Sequence, residues 1–246
     1  MSSPFRRHKQ HVLAIRAGTA APAIGAAPAP PDASTPQGRE YAALRVLLHD
    51  NLRTLADIQS HEARVPRKAE FARAFTAWVE GALAAGEQGH AAQDDILVTT
   101  MLWAIDCRDF PWALRLAAHA IRHHLVMPGF TRSVACIVAE EIAGIALAQT
   151  EAVDHDTLVQ TLALVTGADM PDPVMAKLMK ALGRSFARKA DAFDPAADNA
   201  PAGGKAAYVE AALAALARAL ALDRAIGVKK DIERLERQQK ALTETP

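Results

Sequence analysis

More than a fifth of this chain is alanine, 55 of 246 residues. Alanine orders into a helix without losing side-chain entropy, and period-two clusters of β-branched residues are almost absent here. The expected fold is therefore all-α, a multi-helix bundle with a flexible basic N-terminal arm and a C-terminal amphipathic helix. Segments such as DFPWALRLAAHAIRHHL and AAYVEAALAALARALALD share an Ala-Leu periodicity. That periodicity makes the helical hairpins TPR-like at most, because no fixed repeat of about 34 residues runs through the chain.

The apolar spacing places the helices. Tyr41, Leu44, Leu47, Leu48, Leu52, Leu55 and Ile58 recur at three and four, which predicts an amphipathic helix over Glu40–Gln59. A second is expected at Glu70–Ala85, and a nearly all-apolar one at Ile96–Ile105, opened by Asp94 and Asp95, should form the centre of the core. Trp112–Leu125, Thr131–Ala148, Asp156–Val165 and Pro173–Lys189 follow. Ala190–Lys205 holds two prolines and paired glycines and is expected to be a loop; Ala207–Leu222 and Val228–Leu242 then form a helix pair around Gly227. The expected organisation is an arm and Ala/Pro-rich linker at 1–38, a helical body at 39–189, a loop at 190–205 and a C-terminal hairpin at 206–246.

Charge narrows the function classes. Lys+Arg and Asp+Glu both number 28, so the chain lacks the strongly basic balance of a monomeric nucleic-acid binder. Any such activity must come from a local cluster or from assembly. Arg6, Arg7, Lys9 and Arg16 form such a cluster, with no acid among residues 1–16, followed by a Pro-rich tether. Cations of this kind suit phosphate contacts, each releasing counterions; the competing reading is a solvated tail. Arg64, Arg67, Lys68 and Arg73 make a second cluster beside Glu62 and Glu70, expected in an inter-helix turn, with phosphate contact as the minority reading.

Catalytic constellations are sparse. Asp94, Asp95, Asp106 and Asp109 flank a helix of about ten residues, so some ~15 Å separates the two pairs and they cannot share one ion. Helix capping is the better explanation. His119 and His123 have the four-residue spacing used by zinc-binding helices, but no third ligand stands nearby in sequence, and a structural role is favoured. Trp78, Trp103 and Trp112 lie in apolar stripes or at helix starts and are expected in the core rather than as stacking platforms. GxxxxGK[ST] and GxSxG are absent. No catalytic residue, metal or other cofactor is expected. In the last helix Val228, Ile232, Leu235, Gln239 and Leu242 form a short coiled-coil seam, and Ile232, Leu235 and Leu242 are the expected dock for a partner helix. The two cysteines, Cys107 and Cys136, fit a reducing cytoplasm. The apolar stretch Val12–Ile15 is too short for a signal peptide, and no segment approaches a membrane span, so neither export nor membrane insertion is expected.

Four blocks carry a family likeness: SPFRRHKQH, AQDDILVTTMLWAIDCRDFPWALRLAAHAI, ADMPD and GVKKDIERLERQ. In this order, over nearly the whole chain, they resemble the small terminase subunit of the GpM type, from temperate contractile-tailed phages and prophages. The matching positions are Ser3, Pro4, Arg7 and His8; Gln93, Asp94 and Asp95; and Lys229, Lys230, Glu233 and Arg234. The resemblance implies a subunit, usually ring-forming, that recognises the packaging start on double-stranded phage DNA. It would bring that DNA to a large subunit carrying ATPase and nuclease activities. The same family is often described as the endonuclease subunit of terminase, which makes a metal-dependent endonuclease the first alternative; a helical-repeat adaptor binding only protein is the second. Family members can end in a Lys/Arg/Pro-rich tail where this sequence ends TETP, which moves the expected DNA contact to the arm.

Overall fold

A computed structural model describes residues 27–194 and 204–244; the arm cations Arg6, Arg7, Lys9 and Arg16, and the middle of the expected loop, lie outside the described residues. Among the described residues the chain forms nine helices and no strand, an all-α fold as expected. It divides into two compact units between Val134 and Ala135.

The first unit contains four helices. Helix α1 (Pro36–Asp57) starts where the Thr35 hydroxyl accepts from the Gly38 N–H, with Pro36 preset for the first turn. Its buried face is Tyr41, Leu48 and Leu55, seven residues apart. The apolar stripe is only half covered: Leu47 and Leu52 are 40% and 42% exposed, and Val46 beside them is 64% exposed. Helix α2 (His61–Glu87) begins nine residues before the expected start, capped by Ser60. Pro66 sits inside it as the sixth residue, past the N–H groups that a helix start leaves free, and so removes one carbonyl-to-amide bond, to Glu62. Helix α3 (Asp95–Asp106) is the core element the sequence predicts, with Ile96, Leu97, Val98 and Met101 fully buried. Helix α4 (Phe110–Arg122) is capped by Asp109 and stops three residues before the expected end, because His124 turns to a left-handed φ of 55°.

The second unit opens in α5 (Val134–Ala148) and continues with α6 (His155–Val165), α7 (Asp172–Asp191), α8 (Gly204–Leu222) and α9 (Lys229–Glu244). Helices α7 and α8 approach closely at Gly183, where a Cβ would stand 2.7 Å from Leu216 side-chain atoms and 3.2 Å from the Ala212 carbonyl. Around that line Ala187, Ala190, Val209, Ala212, Leu216, Val228 and Leu235 form one buried cluster. Helix α9 is clamped to α7 by Arg184 on Asp231 at 2.9 Å and by Arg234 on Asp191 at 3.2 Å. Lys180 Nζ donates to the Ile226 carbonyl at 2.6 Å, which ties the α8–α9 turn to α7 as well. No helix among the described residues is long and apolar enough to cross a membrane.

Candidate nucleic-acid interface

The second basic cluster lies in the first turns of α2, not in a turn between helices, and most of it is engaged. Arg64 Nε donates to the Ile58 carbonyl at 2.6 Å, which closes the α1–α2 corner. Lys68 reaches across to Asp106 at the end of α3, N···O 2.5 Å, with both side chains largely covered. Only Arg67, paired to Glu70 on its own helix, and Arg73 remain exposed. A cation desolvated against a carboxylate is poorly placed to exchange it for a phosphate; an exposed i,i+3 pair is worth a few tenths of a kcal/mol and gives way readily.

The four carboxylates flanking α3 are all in use. Buried Asp94 caps α3: its Oδ1 accepts from the N–H groups of Ile96 and Leu97 at 2.9 and 3.0 Å, while Oδ2 accepts from the Trp78 indole at 2.7 Å. Burial pushes its carboxyl above the ordinary range despite those donors. Asp95 pairs with Arg45 at 3.1 Å, and its N–H donates to the Tyr41 hydroxyl at 3.0 Å. Tyr41 stacks on Trp78 with ring centroids 5.5 Å apart, and burial drives its phenol up to about 12. Asp106 holds Lys68, and Asp109 accepts from the Trp112 N–H at 3.3 Å. Gln93 completes the knot by exchanging two hydrogen bonds with the Val126 backbone at 2.8 and 2.9 Å. The Gln93-Asp94-Asp95 block thus joins α1, α2, α3 and the loop after α4. Capping and pairing thus occupy all four carboxylates.

Trp103 is buried between Phe71 and Phe75, and Trp112 lies under the Arg115 guanidinium. In α9 the expected docking seam faces the protein itself. Leu235 is fully buried in the second unit's cluster, with Ile232 and Leu242 packed half-buried against it. Lys229 and Lys230 point to solvent. His119 lies in α4 and His123 at its C-cap, ring centroids 4.7 Å apart. Burial first, then neighbouring positive charge including Arg122, holds both imidazoles below the ordinary histidine range.

A family model described as phage small terminase subunit matches residues 45–173, from within α1 to the start of α7 and including the Gln93-Asp94-Asp95 knot. A curated relative, "Terminase, endonuclease subunit" of Escherichia phage P2, is 40% identical, the alignment covering 98% of this chain and 87% of the relative. No solved structure matches. A chain whose described residues are helical and strand-free, with these likenesses, falls in the class of phage terminase components. Within that class it belongs to the phage small terminase subunit family, the family that the quoted sequence blocks resemble.

Proposed function

We propose that this chain is the DNA-recognition subunit of its terminase, binding double-stranded phage DNA at the packaging start and recruiting the large subunit that supplies ATPase and nuclease activities. Its place of action is the cytoplasm of the bacterial host. Family membership over half the chain, extended by the relative over nearly all of it, is the observation that carries this reading. The phosphate contacts fall to Arg6, Arg7, Lys9 and Arg16. Arg64 and Lys68 are held by Ile58 and Asp106, so exposed Arg67 and Arg73 are the members of the second cluster that could add to them. Exposed Val46, Leu47 and Leu52 on α1 supply apolar surface for self-assembly into a ring, which multiplies the arms on one duplex. The large subunit docks along the edge of α9 where Ile232 and Leu242, packed against the cluster, stay half-exposed. Because Leu235 is spent on the protomer's own core, it contributes to this dock only by holding α9 in place. The test is a mobility shift on the phage's own packaging-site duplex. Replacing the four arm cations by Ala should weaken binding strongly while far-UV dichroism stays helical; unchanged binding would refute the assignment.

The relative's printed name motivates a second reading, an intrinsic metal-dependent endonuclease. It requires nicking of supercoiled DNA by the purified chain with Mg2+ and without the large subunit, abolished at one carboxylate. The occupied state of Asp94, Asp95, Asp106 and Asp109 weighs against these four as its ligands.

A further inference from the structure

The second unit distributes its charge unevenly. Residues 135–172, through α5 and α6 to the first residue of α7, hold seven carboxylates and no Lys or Arg. The stretch 173–190 reverses this, with Lys177, Lys180, Arg184, Arg188 and Lys189 and no acid. The first four stand three, four and four apart and so share one face of α7. Lys180 brings that face against the α8–α9 turn: its Nζ donates to the Ile226 carbonyl at 2.6 Å, and a Cβ at Gly227 would stand 3.8 Å from it. One helical turn on, Arg184 meets Asp231 in α9. The same turn displays Arg224 after the end of α8 and Lys229 and Lys230 at the start of α9. All three are exposed, and none forms an ion pair with another described residue. Three carboxylates lie in this stretch: Asp223, whose Oδ1 accepts from the Ala225 N–H at 2.8 Å, Asp231, which Arg184 neutralises, and Glu233. Five cations thus gather around one turn whose nearest carboxylates are mostly occupied.

This concentration works against the protomer's own stability. Lys180 and Arg184 are like charges four apart on one helix, and Lys229 and Lys230 occupy the first turn of α9, where the helix dipole disfavours cations. Burial first, then the Arg184 guanidinium, holds the Lys180 ammonium below the ordinary lysine range. The two lysines of α9 add nothing to the packing, which Val228, Ile232 and Leu235 carry. A polyanion would supply the missing counter-charge. We infer that Arg224, Lys229 and Lys230 contact the phosphates of double-stranded DNA, with Lys180 and Arg184 behind them adding to the field, as a second binding surface beside the arm. The inference rests on the DNA-recognition reading above and adds a surface to it. Duplex fits this surface better than an acidic protein segment does. Protein partners are anchored on apolar and aromatic side chains, whereas DNA interfaces are polar and strongly cationic. None of the exposed large apolar residues, Val46, Leu47, Leu52, Val126, Phe130 and Val159, lies in the α8–α9 turn. The carboxylates of 135–172 repel a duplex, so the field of the unit turns its cationic edge toward one.

The experiment compares the salt dependence of duplex binding by the full chain and by its Arg224→Ala, Lys229→Ala, Lys230→Ala variant. If all three side chains touch phosphates, the slope of log K against log salt should flatten by about 2.7, at ~0.9 for each contact. The change should be the same on packaging-site duplex and on an unrelated duplex of equal length, because phosphate contacts carry no sequence information. A chain with Arg224→Lys, Lys229→Arg and Lys230→Arg should keep the wild-type slope. Thermal unfolding should move the other way: taking cations from the start of α9 leaves Tm unchanged or raises it, which separates lost binding from a damaged fold. A wild-type slope in the triple Ala variant would overturn the inference. So would a variant that keeps this slope and loses the large subunit, since the surface would then belong to a protein partner. The arm cations stay in place throughout, so either result leaves the arm's role standing. A wild-type chain that binds neither duplex would instead sink the DNA-recognition reading itself, and this surface with it.

Discussion

Asp94 shows how much one side chain can settle. It caps α3 and simultaneously satisfies a tryptophan indole from α2, so a single carboxylate joins the local start of a helix to its tertiary position. Asp94→Ala removes a cap worth about 1 kcal/mol and leaves the part-buried Trp78 indole donor unpaired at a further ~1–3 kcal/mol. A loss of about 2–4 kcal/mol in urea unfolding is expected; a loss under 1 kcal/mol would show that water replaces the carboxylate. Asp154 gives the pH-dependent counterpart in the second unit. Burial raises its carboxyl, but hydrogen bonds from the Thr157 N–H and hydroxyl, both 2.7 Å, outweigh that and bring it below the ordinary range. A lowered folded-state value means stability present above the unfolded carboxylate range and lost as pH falls through the folded one. Asp154→Ala should therefore cost about 1 kcal/mol near neutral pH, with the difference from wild type shrinking on acidification. A difference that grows in acid would contradict the assignment. The capping roles of Asp94 and Asp109 were legible in the sequence because a cap and its helix are adjacent in the chain. The Lys68–Asp106 pair, 38 residues apart, was not, and neither was Glu87 beside His119.

At the scale of elements, α3, α6 and α7 were located to within a few residues, α3 as a nearly all-apolar run opened by Asp94 and Asp95. The start of α2 was hidden by Pro66 and a run of charges, features that ordinarily mark a turn; here the helix runs through the proline at the loss of one backbone bond. The seam of α9 was legible as apolar, but periodicity cannot say whether a stripe meets another molecule or the same one. Here α7 and α8 already cover Leu235. What brings α7 and α8 into register is Gly183, whose missing Cβ admits Leu216. Gly183→Ala improves helix propensity by about 1 kcal/mol yet forces a shift in a fully packed cluster, which costs typically ~1–3 kcal/mol. Net destabilisation is expected in thermal unfolding; a raised Tm would mean that the two helices have slack at their crossing.

For the whole molecule, the decisive quantity is where positive charge is free, since the chain as a whole is neutral. The second cluster spends Arg64 and Lys68 on holding α2 to its neighbours, and the proposed reading therefore assigns the phosphate contacts to the arm. Family membership explains why such a protein should meet DNA, and charge accounting suggests which residues meet it. The most direct measurement is the salt dependence of binding to packaging-site duplex, wild type against the chain with Arg6, Arg7, Lys9 and Arg16 replaced by Ala. If all four cations of an engaged arm contact phosphates, the slope of log K against log salt should flatten by about 3.6 per arm, at ~0.9 for each contact. Parallel slopes for the two proteins would contradict the account.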